Sequence, residues 1–251
     1  MILRMDSEFP AAKTLPLAIV TGAAIRVGRL IVLHLAGNGY AIGLHFHSSR
    51  TAAEETAEEI RQMGVPVHLL EGDLTRPEDI EGMFTTVDGS PHHLKLLVNS
   101  AAMIAPSNLV NMDVEAWDEM MNLNTRAVWL CSREAAKRMT GGGLILNISD
   151  VGAGKNWTGY GGYVVSKAAV ESLTRVMARQ LAPQVRVCAI APGLLLRSEN
   201  QPAGDWDRLV EKVPLQRPAR ASELLQVMDF LIENEYITGE VVSLSGGYQL
   251  V

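Results

Sequence analysis

The sequence predicts an α/β fold: a single doubly wound parallel sheet of about seven strands with helices on both faces. Three observations predict it. Short apolar or β-branched runs alternate with longer amphipathic segments along the chain. The runs read as strands buried on both faces, which is what a parallel sheet covered by helices requires. A glycine-containing turn follows the first run directly and opens a helix, at the edge where right-handed crossovers gather the strands' carboxyl ends.

Taken in order, residues 15–20 form the first strand, Thr21-Gly22-Ala23-Ala24 a turn, and 26–38 a helix. Strand two is 40–46, followed by an acidic amphipathic helix at 51–63. Strand three is 65–70, and a short helix at 77–87 starts on Pro77, whose missing N–H is tolerated in a first turn. Strand four is 94–98, a long helix runs over 113–139, and strand five is 143–149. A second long helix at 161–182, strand six at 185–190, a helix at 222–232 and a last strand at 241–244 complete the pattern. No linker or internal repeat interrupts it, so residues 1–14 are expected to be a tail and 15–251 one domain. The Pro- and Gly-containing stretch 194–218 breaks the rhythm and is expected to form a flap over the ligand edge.

The 251 residues are 47% hydrophobic and 20% charged, with a net charge of −6 and no block of like charges. That balance argues against a nucleic acid or an anionic membrane as the main partner and leaves a small molecule. Arg4, Asp6, Glu8 and Lys13 leave no uncharged core for a signal peptide, and no stretch approaches the roughly 20 apolar residues of a membrane span. A cytoplasmic location is expected, with Cys131 and Cys188 as buried, reduced thiols.

The turn Thr21-Gly22-Ala23-Ala24-Ile25-Arg26-Val27-Gly28 sits where a phosphate loop belongs in a Rossmann-like sheet. Gly22 permits the sharp turn, Gly28 permits close approach, and free amides at the helix start attract a pyrophosphate. Strand two ends His45-Phe46-His47-Ser48-Ser49-Arg50, with no carboxylate to hold a ribose 2′-OH and repel a 2′-phosphate. Hydroxyls, imidazole and nearby Arg26 favour NADP(H). His45 and His47 lack a third partner, so no metal site is expected. Asp73, after strand three, is placed to accept a hydrogen bond from the adenine amino group, or else to act like an N-cap ahead of Pro77. Asn99, after strand four, is expected to fix the turn there while its neighbours' backbone meets the adenosine ribose.

Tyr163 and Lys167 lie four apart in a helical stretch and share a face. An ammonium near a phenol favours the phenolate, so a lowered Tyr163 pKa and a general-acid role are expected.

With these residues in view, the chain from Leu15 onward resembles the short-chain dehydrogenase/reductase family. The resemblance rests on Thr21-Gly22, Arg26 and Gly28, Asp73, Val98-Asn99-Ser100-Ala101, Asn124, Tyr163 with Lys167, Pro192-Gly193, Ile237-Thr238-Gly239 and Ser245-Gly246-Gly247-Tyr248. It implies an NADP(H)-dependent oxidoreductase in which Tyr163, Lys167, Asp150 and Asn124 form the catalytic group. Lys167 also binds the nicotinamide ribose, Asn124 holds a proton-relay water, and Pro192-Gly193 flank the nicotinamide. Val27, Leu74, Ser100 and Ala101 join Gly22, Arg26, Gly28, His47, Ser48, Ser49, Asp73 and Asn99 around the cofactor. A homotetramer or homodimer built on the two long helices and the last strand is also implied, with Gln249, Leu250 and Val251 as candidates for reaching a neighbouring subunit.

Where the family usually has a Ser that steadies a substrate carbonyl, this chain has Asp150, next to Ser149. A carboxylate opposes an alkoxide, whereas a carboxyl can donate a proton to, or pair with, a basic nitrogen when a C=N bond is reduced. Asp here is similar to the pteridine reductase branch, as are Gly22-Ala23-Ala24-Ile25-Arg26, His45-Phe46-His47 with Ser49, and Tyr160 with Tyr163. That resemblance makes Arg26, Tyr160, Asp150 and Tyr163 pterin contacts. It also puts Ile104 where the branch has a stacking aromatic, Ala102 where it has a Ser, and Ile25 where it has a basic residue. Three readings follow. The first is reduction of a pterin or similar cyclic imine. The second is reduction of a ketone or 3-oxoacyl thioester, with Ser149 or protonated Asp150 replacing the usual Ser. The third is a non-catalytic NADP(H) sensor.

Overall fold

A computed structural model describes residues 14–197 and 203–251. Its seven strands are β1 (Leu17–Val20), β2 (Ala41–Phe46), β3 (Val67–Glu71), β4 (Leu94–Asn99), β5 (Gly143–Ile148), β6 (Val185–Pro192) and β7 (Val241–Leu244). They form one sheet in the order β3-β2-β1-β4-β5-β6-β7, and every neighbouring pair is parallel. The order reverses between β1 and β4, and the crevice outside their carboxyl ends is where such sheets bind ligands.

Side chains alternate across a strand, so β1 feeds two cores. Ala18 and Val20 pack with Ile31 and Leu35 of α1 (Arg26–Gly37), Ala57 and Ile60 of α2 (Arg50–Gln62), and Leu224 and Met228 of α9 (Ala221–Glu233). Leu17 and Ile19 face the opposite layer, with Ile80 and Phe84 of α3 (Pro77–Asp88), Cys131 of α5 (Ala127–Arg138) and Met177 of α7 (Gly161–Leu181). Helices therefore cover both faces, as the sequence predicts. Cys131 and Cys188 are buried and unpaired, and burial pushes the Cys131 thiol up to about 12. Among the described residues no helix is long and apolar enough to cross a membrane.

Three local features depart from expectation. The helix expected over 113–139 is interrupted: α4 (Val114–Met121) runs into a wider π turn at Asn122–Arg126 before α5, with the Ala127 N–H reaching the Asn122 carbonyl. Such bulges leave the apolar period nearly intact, so periodicity does not reveal them. A one-turn helix, α6 (Gly152–Lys155), follows β5 and stops at left-handed Asn156 (φ 55°). The expected flap contains a helix, α8 (Ala203–Glu211), while its residues 198–202 lie outside the described part. The 3₁₀ turn Tyr248–Leu250 lies against α6 of the same chain, held by Lys155.

Candidate active site

Gly22 and Gly28 form a backbone knot at the carboxyl end of β1. Gly22 has φ +64°, and a Cβ there would lie 2.9 Å from the Ala101 Cα. A Cβ on Gly28 would lie 2.1 Å from the Gly22 carbonyl oxygen. Two segments hold the knot. The Thr21 hydroxyl oxygen accepts the Ser100 and Ala101 amides at 3.0 and 3.1 Å, and His45 Nδ1 accepts the Gly22 amide at 3.1 Å. His45 Nε2 then donates to the Gly72 carbonyl at 3.1 Å, which fixes the neutral tautomer. Burial holds this imidazole's pKa at about 4. His45 is thus a strut joining β1, β2 and β3, rather than a ligand for phosphate or metal.

No side chain caps the start of α1, so its first amides remain available to an anion. The adjoining cleft has a volume of about 460 Å³ and is lined by the predicted Gly22, Arg26, Val27, Gly28, His47, Asp73, Leu74, Ser100 and Ala101. Thr75, Glu119 and Leu123 also line it and were not predicted. Glu119 and Leu123 are spaced i, i+4 on one helix face, a pattern indistinguishable in sequence from ordinary packing. Arg26 itself has φ +52°, and its guanidinium donates to the carbonyls of Leu196 and Arg197 at 3.2 and 3.3 Å, spanning the cleft to the segment after β6. Ser48 is exposed and Ser49 half-buried at the start of α2, beside the cleft-lining His47. Arg50 pairs with Glu71 and Glu54 and lies over the Phe46 ring.

Asp73 is not the cap of α3, whose N-cap position is Arg76. Its Oδ1 accepts the Thr75 amide and hydroxyl at 2.8 and 2.7 Å, while the residue lines the cleft. Asn99 departs from expectation. It does not fix the turn after β4: its Nδ2 donates inward to Ser132 Oγ (3.1 Å) and Asn147 Oδ1 (2.9 Å), and Thr21 secures the turn instead.

Beyond the cleft, at the ends of β5 and β6, lie Asp150, Tyr163 and Lys167, the residues expected to carry the chemistry. The Tyr163 hydroxyl donates to Asp150 Oδ2 at 2.9 Å, and Asp150 Oδ1 accepts the Gly152 amide at 2.6 Å. Burial raises the Asp150 pKa, although the bonds from Gly152 and Tyr163 and the charge of Lys167 oppose the rise. Tyr163 is raised as well, by burial and then by the Asp150 carboxylate. This reverses the expected lowering by Lys167: a carboxylate that accepts the phenol's proton holds it in place. The Lys167 ammonium instead donates to the Ile148 carbonyl at 2.7 Å and stands 5.9 Å from the Tyr163 ring centroid. Burial lowers its pKa to about 8.

Ser149, the neighbour weighed as a replacement hydroxyl, is buried and donates to Glu171 Oε1 at 3.2 Å, two turns along α7 from Tyr163. It is not placed to serve Tyr163's partner. Asn124 is fully buried in the π turn; its Oδ1 accepts the Met103 amide, and its Nδ2 donates to the Met103 carbonyl and to Ser166 Oγ. The side chain therefore ties loop to helix. Pro192 ends β6, with its carbonyl accepting the Val151 amide at 3.1 Å, and the Gly193 amide donates to the Leu244 carbonyl at 2.9 Å. The pair thus adjoins Asp150. Tyr160 is partly exposed at the start of α7, edge-on to Trp157 with centroids 6.4 Å apart, and Ile104 is 57% exposed. Among the described residues no group of three His, Cys, Asp or Glu is arranged to hold a metal.

Residues 22–249 match the profile of the family described as enoyl-(acyl carrier protein) reductase. The uncharacterized oxidoreductase YgfF of Escherichia coli K12 is 31% identical over 92% of this chain and 99% of its own length. The 3-oxoacyl-[acyl-carrier-protein] reductase FabG of Staphylococcus aureus Mu50 is 30% identical over 92% and 96%. Among solved structures, the FolM alternative dihydrofolate reductase 1 of Brucella canis, complexed with NADP, superposes with a TM-score of 0.87 at 31% identity, covering 94% of this chain and 95% of that one. A parallel sheet with its glycine knot at the order reversal, a Tyr163–Lys167 pair at its edge and relatives matched over nearly their full length place this chain in the short-chain dehydrogenase/reductase family.

Proposed function

We propose that this protein is an NADPH-dependent reductase of a pterin or similar cyclic imine. The observation that carries the reading is the 2.9 Å bond from Tyr163 to Asp150, a carboxyl group where a carbonyl reductase uses a hydroxyl. The likeness to the FolM structure supports it.

The residues fit the cofactor. The Gly22–Gly28 knot leaves no room for a Cβ, and uncapped α1 amides face the cleft as a pyrophosphate requires. His47, Ser48 and Ser49 offer a 2′-phosphate no opposing carboxylate. NADPH, when bound, supplies the hydride. The protein's task is then to orient the ring and deliver a proton to nitrogen. Asp150, its pKa raised by burial, is the proton donor to a ring nitrogen. The carboxylate left behind is stabilised by the Gly152 amide and the Lys167 charge. Tyr163, kept protonated, steadies the same carboxylate by its hydrogen bond, and the proton given up by Asp150 is replaced from water. Arg26 and Tyr160 are the contacts for the far edge of the ring.

A 3-oxoacyl thioester is the second reading, favoured by the FabG relative and by Ile104, which offers an aliphatic surface rather than a stacking ring. The engagement of Ser149 with Glu171 counts against it. A single domain over 15–251, a cytoplasmic location and a homodimer or homotetramer through α4–α5 and α7 belong to the same proposal. The exposed Trp129, Val165 and Val176 on those helices support the assembly.

The test is NADPH oxidation by purified protein on dihydropteridines and on a 3-oxoacyl thioester, repeated with Asp150→Asn. Pterin turnover reduced about 10²-fold or more in the variant is expected of a lost proton donor. Turnover on the thioester alone, unchanged in the variant, would overturn the proposal.

A further inference from the structure

We propose that Lys155 is a positioning residue for Asp150, clasping the chain's final turn onto α6 and thereby fixing the carboxyl opposite Tyr163. The inference rests on the reading that Asp150 takes part in the chemistry.

Helix α6 is one turn long, and a single turn does not hold itself together in water. Yet Asp150 depends on it, because the Gly152 amide at its first position orients Oδ1 at 2.6 Å while Oδ2 receives the phenol. Gly152 is also crowded: a Cβ there would meet Asp150 Oδ1 at 2.9 Å and the Trp157 ring at 2.8 Å. A small shift of α6 therefore moves the carboxyl.

What holds α6 comes from the other end of the chain. Lys155 Nζ donates to the Tyr248 carbonyl at 2.7 Å and to the Val251 carbonyl, and it stands 4.1 Å from the centroid of the Tyr248 ring. That ring is buried with Val151 and Val213, and Trp157 packs beside it at 6.2 Å. A lysine satisfied by two main-chain carbonyls and an aromatic face fits a clasp. None of these contacts enters the proton transfer described above.

The charged and titratable groups around this assembly are few. Tyr163, Lys167 and Glu171 face Asp150 from α7, Tyr248 faces it from the final turn, and Lys212 is the cation near Lys155. Loss of the clasp frees α6 without changing any of these groups.

The experiment is amide hydrogen exchange at Gly152 in the cofactor-free protein, with kinetics run alongside. Lys155→Met is expected to speed exchange about tenfold or more, and Lys155→Arg to stay near the wild type. NADPH affinity should stay within about twofold in both, since the glycine knot lies across the sheet edge from α6. On whichever substrate is turned over, Lys155→Met should lower kcat and shift the alkaline limb of its pH profile, with the NADPH KM unchanged. Unaltered Gly152 protection in Lys155→Met would overturn the proposal, as would an equal loss of protection in β1 and α1. If that variant does not fold, deletion of Val251 removes its contact with Lys155 while leaving the Tyr248 carbonyl, and undisturbed Gly152 protection would again overturn it. Failure of the Asp150 reading is seen separately, as an Asp150→Asn variant with wild-type turnover.

Discussion

The hydroxyl of Ser149 donates to Glu171 Oε1 over 3.2 Å, while the next residue, Asp150, receives the Tyr163 phenol at 2.9 Å. Adjacent residues thus serve different turns of α7. Ser149→Ala is expected to leave kcat within about twofold and to lower stability by about 1 kcal/mol, the usual net value of one internal hydrogen bond. Steady-state assays and urea unfolding check both. A large loss of turnover would instead make Ser149 part of the chemistry.

Gly28→Ala places a methyl group 2.1 Å from the Gly22 carbonyl oxygen, and both partners are backbone. The turn must open to accept it. A stability loss of about 1–3 kcal/mol is expected from overpacking, together with at least tenfold weaker NADPH binding. Fluorescence titration of bound NADPH and thermal unfolding measure the two losses, and native affinity in this variant would rule out the knot as the pyrophosphate cradle.

His45 is held neutral, with a pKa of about 4 against 6.5 unperturbed. The folded-state value is depressed, so the unfolded chain binds the proton more readily. Stability tied to His45 is therefore full above pH 6.5 and lost as pH falls from there to about 4, by roughly 3 kcal/mol in total. Urea unfolding at stepped pH should show this slope in the wild type and a flatter one in His45→Gln. Parallel slopes would mean that the imidazole is not the group being titrated.

Lys167 loses its charge on passing about pH 8, well below an ordinary lysine, because it is buried. Turnover should therefore fall as pH rises above about 8. Lys167→Arg keeps its charge to far higher pH, so any residual activity in it should lack that part of the decline. A profile flat to pH 10 in the wild type would contradict the assignment.

The sheet and the glycine knot were legible because both leave strong marks: apolar runs broken by amphipathic helices, and glycines at a strand end. The spacing of Tyr163 and Lys167 put them on one helix face, and the family resemblance singled them out together with Asp150. What escaped depended on contacts between distant segments. The strut role of His45 follows from Gly22 and Gly72 converging on its two nitrogens, 23 and 27 residues away. The inward turn of Asn99 toward Ser132 and Asn147 has no local signature either. The direction of the Tyr163 shift went wrong for the same reason. Sequence spacing brings Lys167 near the ring, but only the fold brings a carboxylate to the hydroxyl.

His45, next to last in β2, is committed to scaffolding, and the three positions after Phe46 are not. His47 and Ser48 are exposed and Ser49 is half-buried, and none is reached by the core layers beneath them. On the proposed reading of the cofactor site, nucleotide preference can be rewritten in three neighbouring codons without disturbing the architecture beneath them. A laboratory selection for NADH use should find its answers at 47, 48 and 49 and leave 45 alone.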